Sequence, residues 1–307
     1  MKKFYVLMLL CLFIMIAPVS CYASVKVAQA LGPAAISGSN LYYVKKGTSG
    51  GIYKYNIKTK KNQLIKTGYF SQISLKGDYI YYVFAANYID ADCNTYYAIY
   101  RMKKDGTKEK RLAYGDSPVI IGKWIYYIEH KYSSPETVST GYVSKMKLDG
   151  SSKKKVKKVN ATALYKYGNK VLYSKSVTND GGRSNVDTYL YTMKGKKSSY
   201  KNKIRRYINC SREQYTYNGY TSVNTHYLRV GNYVYYGKRT NLGNNNNACV
   251  YHVYRKKPKG GKEKLIYNSG SNTINHLFAL SKYIYLETNS SIILLDANCK
   301  VVAELNI

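Results

Sequence analysis

Short runs of alternating apolar and polar residues follow one another along this chain, which is the period of a β-strand rather than of a helix. One sequence motif occurs six times. It consists of a turn residue, two variable residues, an aliphatic residue and a tyrosine pair, and the fourth and sixth copies keep it only in part. The copies begin at Gly38, Gly77, Gly122, Gly168, Gly231 and Ser281. Their intervals of 39, 45, 46, 63 and 50 residues match the length of one propeller blade of four strands.

The second copy shows the four predicted strands of a blade. Residues 71–76 alternate and precede a tight Gly77–Asp78 turn, and a β-branched and aromatic strand follows over 79–84. After a loop, the third strand covers 97–102, and an Asp-Gly hairpin signal separates it from a fourth strand over 108–113. Six such units predict an all-β fold: a six-bladed β-propeller of four-stranded antiparallel blades, closed into a ring that hides most sheet edges.

The Tyr-Tyr strand followed by Ile-Tyr-Arg-Met-Lys-Lys-Asp-Gly-Thr at residues 99–107 resembles the six-bladed propellers of the low-density-lipoprotein-receptor type, and most of all secreted bacterial domains of unknown function in that group. Residues 143–151 and, weakly, 293–298 carry the same pattern. The resemblance spans residues 31–307 and implies a binding scaffold without catalytic residues. The receptor family has Tyr-Trp-Thr-Asp in its second strand. Here tyrosine stands at the Trp position and the Asp is missing, so its hydrogen bonds between blades need a replacement.

The first 23 residues have the features of a secretory signal peptide. Lys2 and Lys3 precede an apolar stretch over 4–17, and small residues stand before a cleavage point after Ala23. Residues 24–30 then form a short N-terminal segment before a single propeller domain. We expect an extracellular or cell-surface protein, with no transmembrane segment in the mature chain. Lipid attachment at Cys21 is the alternative to cleavage after Ala23.

The formal net charge of +33 falls to about +31 without Lys2 and Lys3, and such a field attracts polyanions. The predicted outer strands and short turns are rich in lysine. The clearest cluster consists of Lys153, Lys154, Lys155, Lys157 and Lys158. Two interpretations stay open: lysines that protect a sheet edge from pairing, or a contact with an anionic cell-wall polymer such as teichoic acid. Export argues against a nucleic-acid partner.

Hairpin geometry assigns the predicted loops to two faces. The turns between first and second strands, and between third and fourth, are short, whereas the loops between second and third strands are long and carry function more often. The long-loop face therefore holds the candidate ligand-binding residues, for a surface protein or a glycan: Tyr88, Asp90, Asp92, Glu129, His130, Tyr132, Asp187, Tyr215, Tyr217 and Arg239. Ordinary polar loop composition is the alternative explanation.

Catalytic and metal-binding patterns are weak. The four histidines are scattered without a zinc-protease or nucleophile-elbow motif, and the run Asp90-x-Asp92-x-Asn94 lacks the rest of a calcium loop. No cofactor is expected. The mature chain keeps Cys93, Cys210, Cys249 and Cys299, whose pairing stays open. The sequence predicts a monomeric, non-catalytic binding propeller of unknown ligand; the alternative is a glycan-acting hydrolase or lyase that uses loop carboxylates.

Overall fold

The protein is described by a computed structural model over residues 32–86, 96–132, 138–159, 161, 163–178, 186–193, 227–230, 233–241, 249–257 and 261–307. Within these residues the secondary structure consists of β-strands that form separate antiparallel sheets. In every sheet, each strand pairs with the strand that follows it along the chain. This confirms the predicted all-β fold of four-stranded antiparallel units.

The first three sheets contain four strands each. Sheet 1 has β1 (Ala34–Ser37), β2 (Asn40–Lys45), β3 (Gly51–Asn56) and β4 (Asn62–Thr67). Sheet 2 has β5 (Phe70–Lys76), β6 (Tyr79–Ala86), β7 (Tyr96–Lys103) and β8 (Lys110–Tyr114). Sheet 3 has β9 (Asp116–Ile121), β10 (Trp124–Tyr132), β11 (Val138–Lys147) and β12 (Lys154–Lys158).

The next three sheets follow the same order. Sheet 4 has β13 (Ala163–Tyr167), β14 (Lys170–Thr178) and β15 (Val186–Thr192) within the described residues. Sheet 5 has β16 (Tyr227–Val230), β17 (Tyr233–Asn241), β18 (Cys249–Lys256) and β19 (Lys264–Gly270). Sheet 6 has β20 (Ile274–Leu280), β21 (Tyr283–Thr288), β22 (Ser291–Leu295) and β23 (Val301–Asn306). The predicted fourth strand of the fourth unit, 203–207, lies outside the described residues.

The Asp-Gly hairpins form as predicted, because the aspartate side chain itself organises the turn. Asp105 accepts hydrogen bonds from the Thr107 amide at 2.9 Å and from its hydroxyl at 2.7 Å. Asp149 accepts the same two bonds from Ser151, also at 2.9 and 2.7 Å. These bonds stabilise the carboxylates and lower the pKa of Asp105 and Asp149.

The tyrosine pair explains why the repeat is so regular. Successive side chains of a strand point to opposite faces, so each pair places one ring in each of two neighbouring cores. Tyr81 packs in the core between sheets 2 and 3, whereas Tyr82 packs in the core between sheets 1 and 2. In sheet 1, Tyr42 packs in the core between sheets 1 and 2, and Tyr43 packs in the core between sheets 6 and 1.

The incomplete sixth copy obeys the same rule. Tyr285 packs against sheet 1 in the core that contains Tyr43, and Leu286 packs against sheet 5 in the core that contains Tyr235. The described cores join sheets 1 to 4 in sequence, sheet 5 to sheet 6, and sheet 6 back to sheet 1. Leu286 is fully buried, so leucine keeps an apolar side chain in that core although it lacks the hydroxyl group of the tyrosines.

Arginines form a recurring link between neighbouring sheets. Arg101 lies 4.7 Å from the ring centre of Tyr79 and donates a hydrogen bond to the Leu148 carbonyl of sheet 3 at 3.1 Å. Arg255 repeats the arrangement, 4.6 Å from the ring of Tyr233, with a 3.3 Å bond to the Cys299 sulfur of sheet 6. Both arginines belong to the third strands, and they supply polar links between neighbouring sheets.

Gly115 lies where the chain passes from sheet 2 to sheet 3, and its backbone geometry leads to a testable prediction about stability. Its φ is +138°, and a Cβ added there would lie 2.1 Å from the Ile128 carbonyl oxygen. We expect Gly115→Ala to lower the free energy of unfolding by about 3 kcal/mol, because the backbone is strained and cannot move aside. Urea denaturation followed by circular dichroism measures the change.

Gly122→Ala is the matched control in the neighbouring turn. Its φ is +58° and an added Cβ meets nothing within 4 Å, so the cost should be about 1 kcal/mol from the left-handed backbone alone. Equal losses for the two variants would contradict the crossing geometry.

Candidate functional site

The structure describes only part of the ligand-binding site predicted on the long-loop face. Tyr88, Asp90, Asp92, Tyr215 and Tyr217 lie outside the described residues. The backbone of His130, Tyr132, Asp187 and Arg239 is described, at the ends of β10, β15 and β17 that adjoin the loops between second and third strands. These four positions share one end of the sheets but belong to three different sheets, so the proposed ligand site stays a prediction.

Of the ligand-binding residues predicted on the long-loop face, Glu129 is the one whose side chain the structure describes. It is partly buried at the same end of β10, and its carboxylate accepts a hydrogen bond from the Ser144 hydroxyl at 2.5 Å. Burial, followed by the negative charge of Glu129, raises the pKa of Tyr127 to about 12. The Glu129 carboxylate is therefore hydrogen-bonded to the neighbouring strand β11, as expected of a carboxylate that stabilises the sheet.

Glu287 is a buried carboxylate that the sequence did not single out. The residue is only 3% exposed, and it accepts a 2.8 Å hydrogen bond from the Tyr285 hydroxyl in the core between sheets 6 and 1. Burial raises its pKa, against the opposing effects of the Tyr285 bond and the charge of Lys46. Its only sequence signal was that it follows the irregular sixth copy, where Leu286 replaces the second tyrosine.

The lysine cluster is called here the basic strand surface and is defined by Lys153, Lys154, Lys155, Lys157 and Lys158. It occupies β12, the outermost strand of sheet 3, and its side chains are exposed except for that of Lys157, which is partly buried. The register of β12 on β11 shifts beside Val156, so the edge carries a bulge. Lysines and bulges both discourage pairing with another chain.

The lysines of the basic strand surface form no salt bridge with a carboxylate in the described part of the chain. Among the described residues, salt bridges involve Lys66, Lys238 and Lys256, and none involves a lysine of β12. The ammonium group of Lys155 instead lies 4.4 Å from the ring centre of Tyr142. Like charges crowded on one short strand repel each other, so a bound anion would relieve that repulsion.

A cavity of about 340 Å³ lies between the first strands of the sheets. Its lining comes from β1, β5, β9, β13 and β20, and for four of these strands it comes from the half that leads into the short turn. Ile73, Val119 and Phe278 form apolar wall and are buried. Lys76 and Lys166 also line the cavity and are exposed.

The cavity lies toward the short-turn end of the first strands, away from the loops between second and third strands, so it is a second candidate site beside the predicted one. Sequence reasoning missed it because each strand contributes only one to four residues, and their convergence depends on how the sheets are arranged. The one available signal was the recurrence of a short apolar strand immediately before each repeated turn residue.

The described residues contain no group of three histidine, cysteine, aspartate or glutamate side chains that could hold a metal ion. They also contain no helix with the length and apolarity needed to cross a bilayer. Cys299 is a free thiol, and burial raises its pKa. Cys93 and Cys210 lie outside the described residues.

No protein-family model matches the chain, and no curated protein matches it in sequence. Among solved structures, tricorn protease is similar over 90% of this chain and 26% of its own, with a TM-score of 0.50 and 11% identity. This chain thus spans about a quarter of tricorn protease. At this identity the similarity concerns the fold alone, and it supports a β-propeller.

Two further structures are similar at lower scores. The β-propeller domain of the Trilobed protease from Pyrococcus furiosus has a TM-score of 0.42 and 10% identity, over 92% of this chain and 85% of its own. An uncharacterized protein from Listeria monocytogenes has a TM-score of 0.43 and 12% identity, over 92% and 95%. The resemblance to receptor-type propellers stays a prediction.

The buried carboxylate of Glu287 gives a pH-dependent prediction. Its pKa in the folded protein exceeds the ordinary value of 4.5, so the folded state holds a proton that the unfolded state has released. Stability should therefore fall as the pH rises from about 4.5 through the raised pKa. Glu287→Gln removes the ionisation while keeping an acceptor for Tyr285, so it should increase stability at neutral pH and leave it unchanged below the ordinary glutamate pKa.

Thermal denaturation across the pH range measures this difference. Glu304→Gln is the control, because it removes the same charge from an exposed position of sheet 6. A Glu287→Gln curve that runs parallel to the wild-type curve at every pH would contradict the raised pKa.

Proposed function

We propose that this protein is an exported, non-catalytic binding propeller that contacts an anionic cell-wall polymer through the basic strand surface. The observation that carries the proposal is the row of lysines on β12, which has no carboxylate partner among the described residues. An extended cationic edge suits a polymer with regularly spaced negative charges better than it suits a compact ligand.

The proposal includes a ring of six blades of the receptor type. Six repeat copies and the apolar core shared by sheets 1 and 6 support closure of the first sheet on the last. The arginine links between sheets support a rigid ring, because Arg101 and Arg255 each rest on an aromatic ring of their own sheet and donate a hydrogen bond to the next sheet. A rigid ring presents its outer strands at fixed positions.

Export makes an anionic wall polymer the proposed partner. The signal-like residues 1–23 would deliver the mature chain, with a charge of about +31, to the outside of the cell. Phosphate-bearing polymers of a bacterial wall carry the opposite charge at high density. Attraction between them should therefore be long-ranged at low ionic strength and screened at high ionic strength.

Retention on isolated cell walls tests the lysine contact. Replacing all five residues of the basic strand surface by glutamine should abolish most of the retention at low salt, while thermal stability changes little because exposed charges contribute little to folding. Wild-type retention should also fall steeply between about 0.01 and 1 M salt, as the screening length shortens from roughly 30 to about 3 Å. Walls stripped of their phosphate polymer give the baseline.

The matched control removes five exposed lysines that are scattered over the protein and lie outside β12. These residues are Lys58, Lys61, Lys123, Lys262 and Lys300. The control variant has the same net charge as the β12 variant and should keep most of the retention. If the two variants lose retention equally, net charge rather than the basic strand surface is responsible, and the proposed contact is wrong.

Export has its own test. N-terminal sequencing of protein recovered outside the cells should give Ser24 as the first residue, because cleavage is expected after Ala23. Incorporation of a labelled fatty acid, lost in Cys21→Ser, would establish the lipid-anchored alternative instead. Recovery of chain that still begins at Met1 would contradict both forms of export.

A further inference from the structure

The central cavity has the size of a small-molecule site. Its volume of about 340 Å³ falls at the lower end of the roughly 300–1,000 Å³ typical of ligand pockets. Since a polymer does not fit such a volume, its ligand must differ from the partner proposed for the basic strand surface. The lining residues come from five sheets, so the site exists only when the sheets are assembled.

The wall of the cavity is apolar and firmly held. Phe278 stacks on Tyr285 with ring centres 4.5 Å apart, and the Tyr285 hydroxyl is fixed by Glu287. On the other side of Phe278, a Cβ added to Gly32 would lie 2.8 Å from its ring, so the backbone before β1 passes directly against it. Ile73 and Val119 continue the wall from sheets 2 and 3.

The polar part of the lining is cationic. Lys76 ends β5 in sheet 2, and Lys166 lies near the end of β13 in sheet 4, so the two lysines approach from opposite sides of sheet 3. None of the lining residues within the described part of the chain is acidic. Among the described residues, no carboxylate forms a salt bridge with either lysine. Ser74 and Ser281 add hydroxyl groups to the same lining.

We propose that the central cavity binds a small organic anion, with its apolar body against Phe278, Ile73 and Val119 and its negative group beside Lys76 and Lys166. Each methylene group of the ligand that is buried against the apolar wall should increase the binding affinity about fourfold. The positive charges of Lys76 and Lys166 reject a cationic ligand and favour a carboxylate or a similar anionic group.

Isothermal titration calorimetry with octanoate, octanol and acetate tests both parts of the ligand. Octanoate has the apolar body and the charge, octanol keeps the body without the charge, and acetate keeps the charge without the body. The proposal requires octanoate to bind best, and octanol and acetate each to bind at least about tenfold more weakly. Equal binding of octanoate and acetate would overturn it, because charge alone would then suffice.

The variant Lys76→Gln/Lys166→Gln should weaken octanoate binding about tenfold and leave octanol binding unchanged, since it removes only the charged contacts. Its matched control is Lys123→Gln/Lys282→Gln. These two exposed lysines occupy equivalent short turns next to lining residues Gly122 and Ser281, but they do not line the cavity themselves. Equal weakening by both pairs would overturn the assignment of the lysines.

Ser74→Trp fills the cavity from a partly buried position and should abolish the binding of octanoate and octanol together. Circular dichroism and the thermal midpoint show whether that variant folds; if it does not, the lysine pair decides the matter alone. The glutamine variant of the basic strand surface should bind octanoate as the wild type does. Octanoate binding lost in that variant and kept in Lys76→Gln/Lys166→Gln would place the anion on β12 and overturn the proposal.

Discussion

Tyrosine pairs on the second strands are the interaction on which this structure depends. Because neighbouring residues of a strand face opposite ways, one pair gives its sheet two apolar faces at once. Tyr81 and Tyr82 thereby bind sheet 2 to both of its neighbours. A sheet with only one apolar face would end the series, so the repeated pair makes a succession of sheets necessary and a two-layer sandwich unsuitable.

Stacking and hydroxyl bonds hold the second ring of the pair in place. Tyr43, Tyr82, Tyr173 and Tyr236 stack on tyrosines of the third strands, with ring centres 5.4 to 6.2 Å apart. The buried hydroxyl groups need partners, which Tyr43 finds in Asn62, Tyr82 in Glu109 and Tyr236 in Glu263. These partners belong to the fourth strand or to the turn before it, so the stack ties three strands together.

The same arrangement separates two kinds of surface. The outermost strand β12 carries exposed lysines, and it is the surface for which we propose a polymer contact. The innermost strands present apolar wall and two lysines around a cavity of small-molecule size. Both surfaces are cationic, yet only the inner one can bury hydrocarbon, and this difference in burial sets the chemistry that each can bind.

The amino-acid sequence by itself determined the strands, their order and the lysine-rich outer edge. The repeated glycine and tyrosine phrase predicted β5 to β8 to within two residues at each boundary, because strand period and turn chemistry are local properties. The tertiary structure alone decided that Glu287 is buried beside Tyr285 and that Lys76, Lys166 and Phe278 meet around one cavity. Lys76, Lys166 and Phe278 lie far apart along the chain, and Glu287 is buried because its sheet packs against another one. Both results depend on the angle and spacing between sheets, which no local pattern encodes.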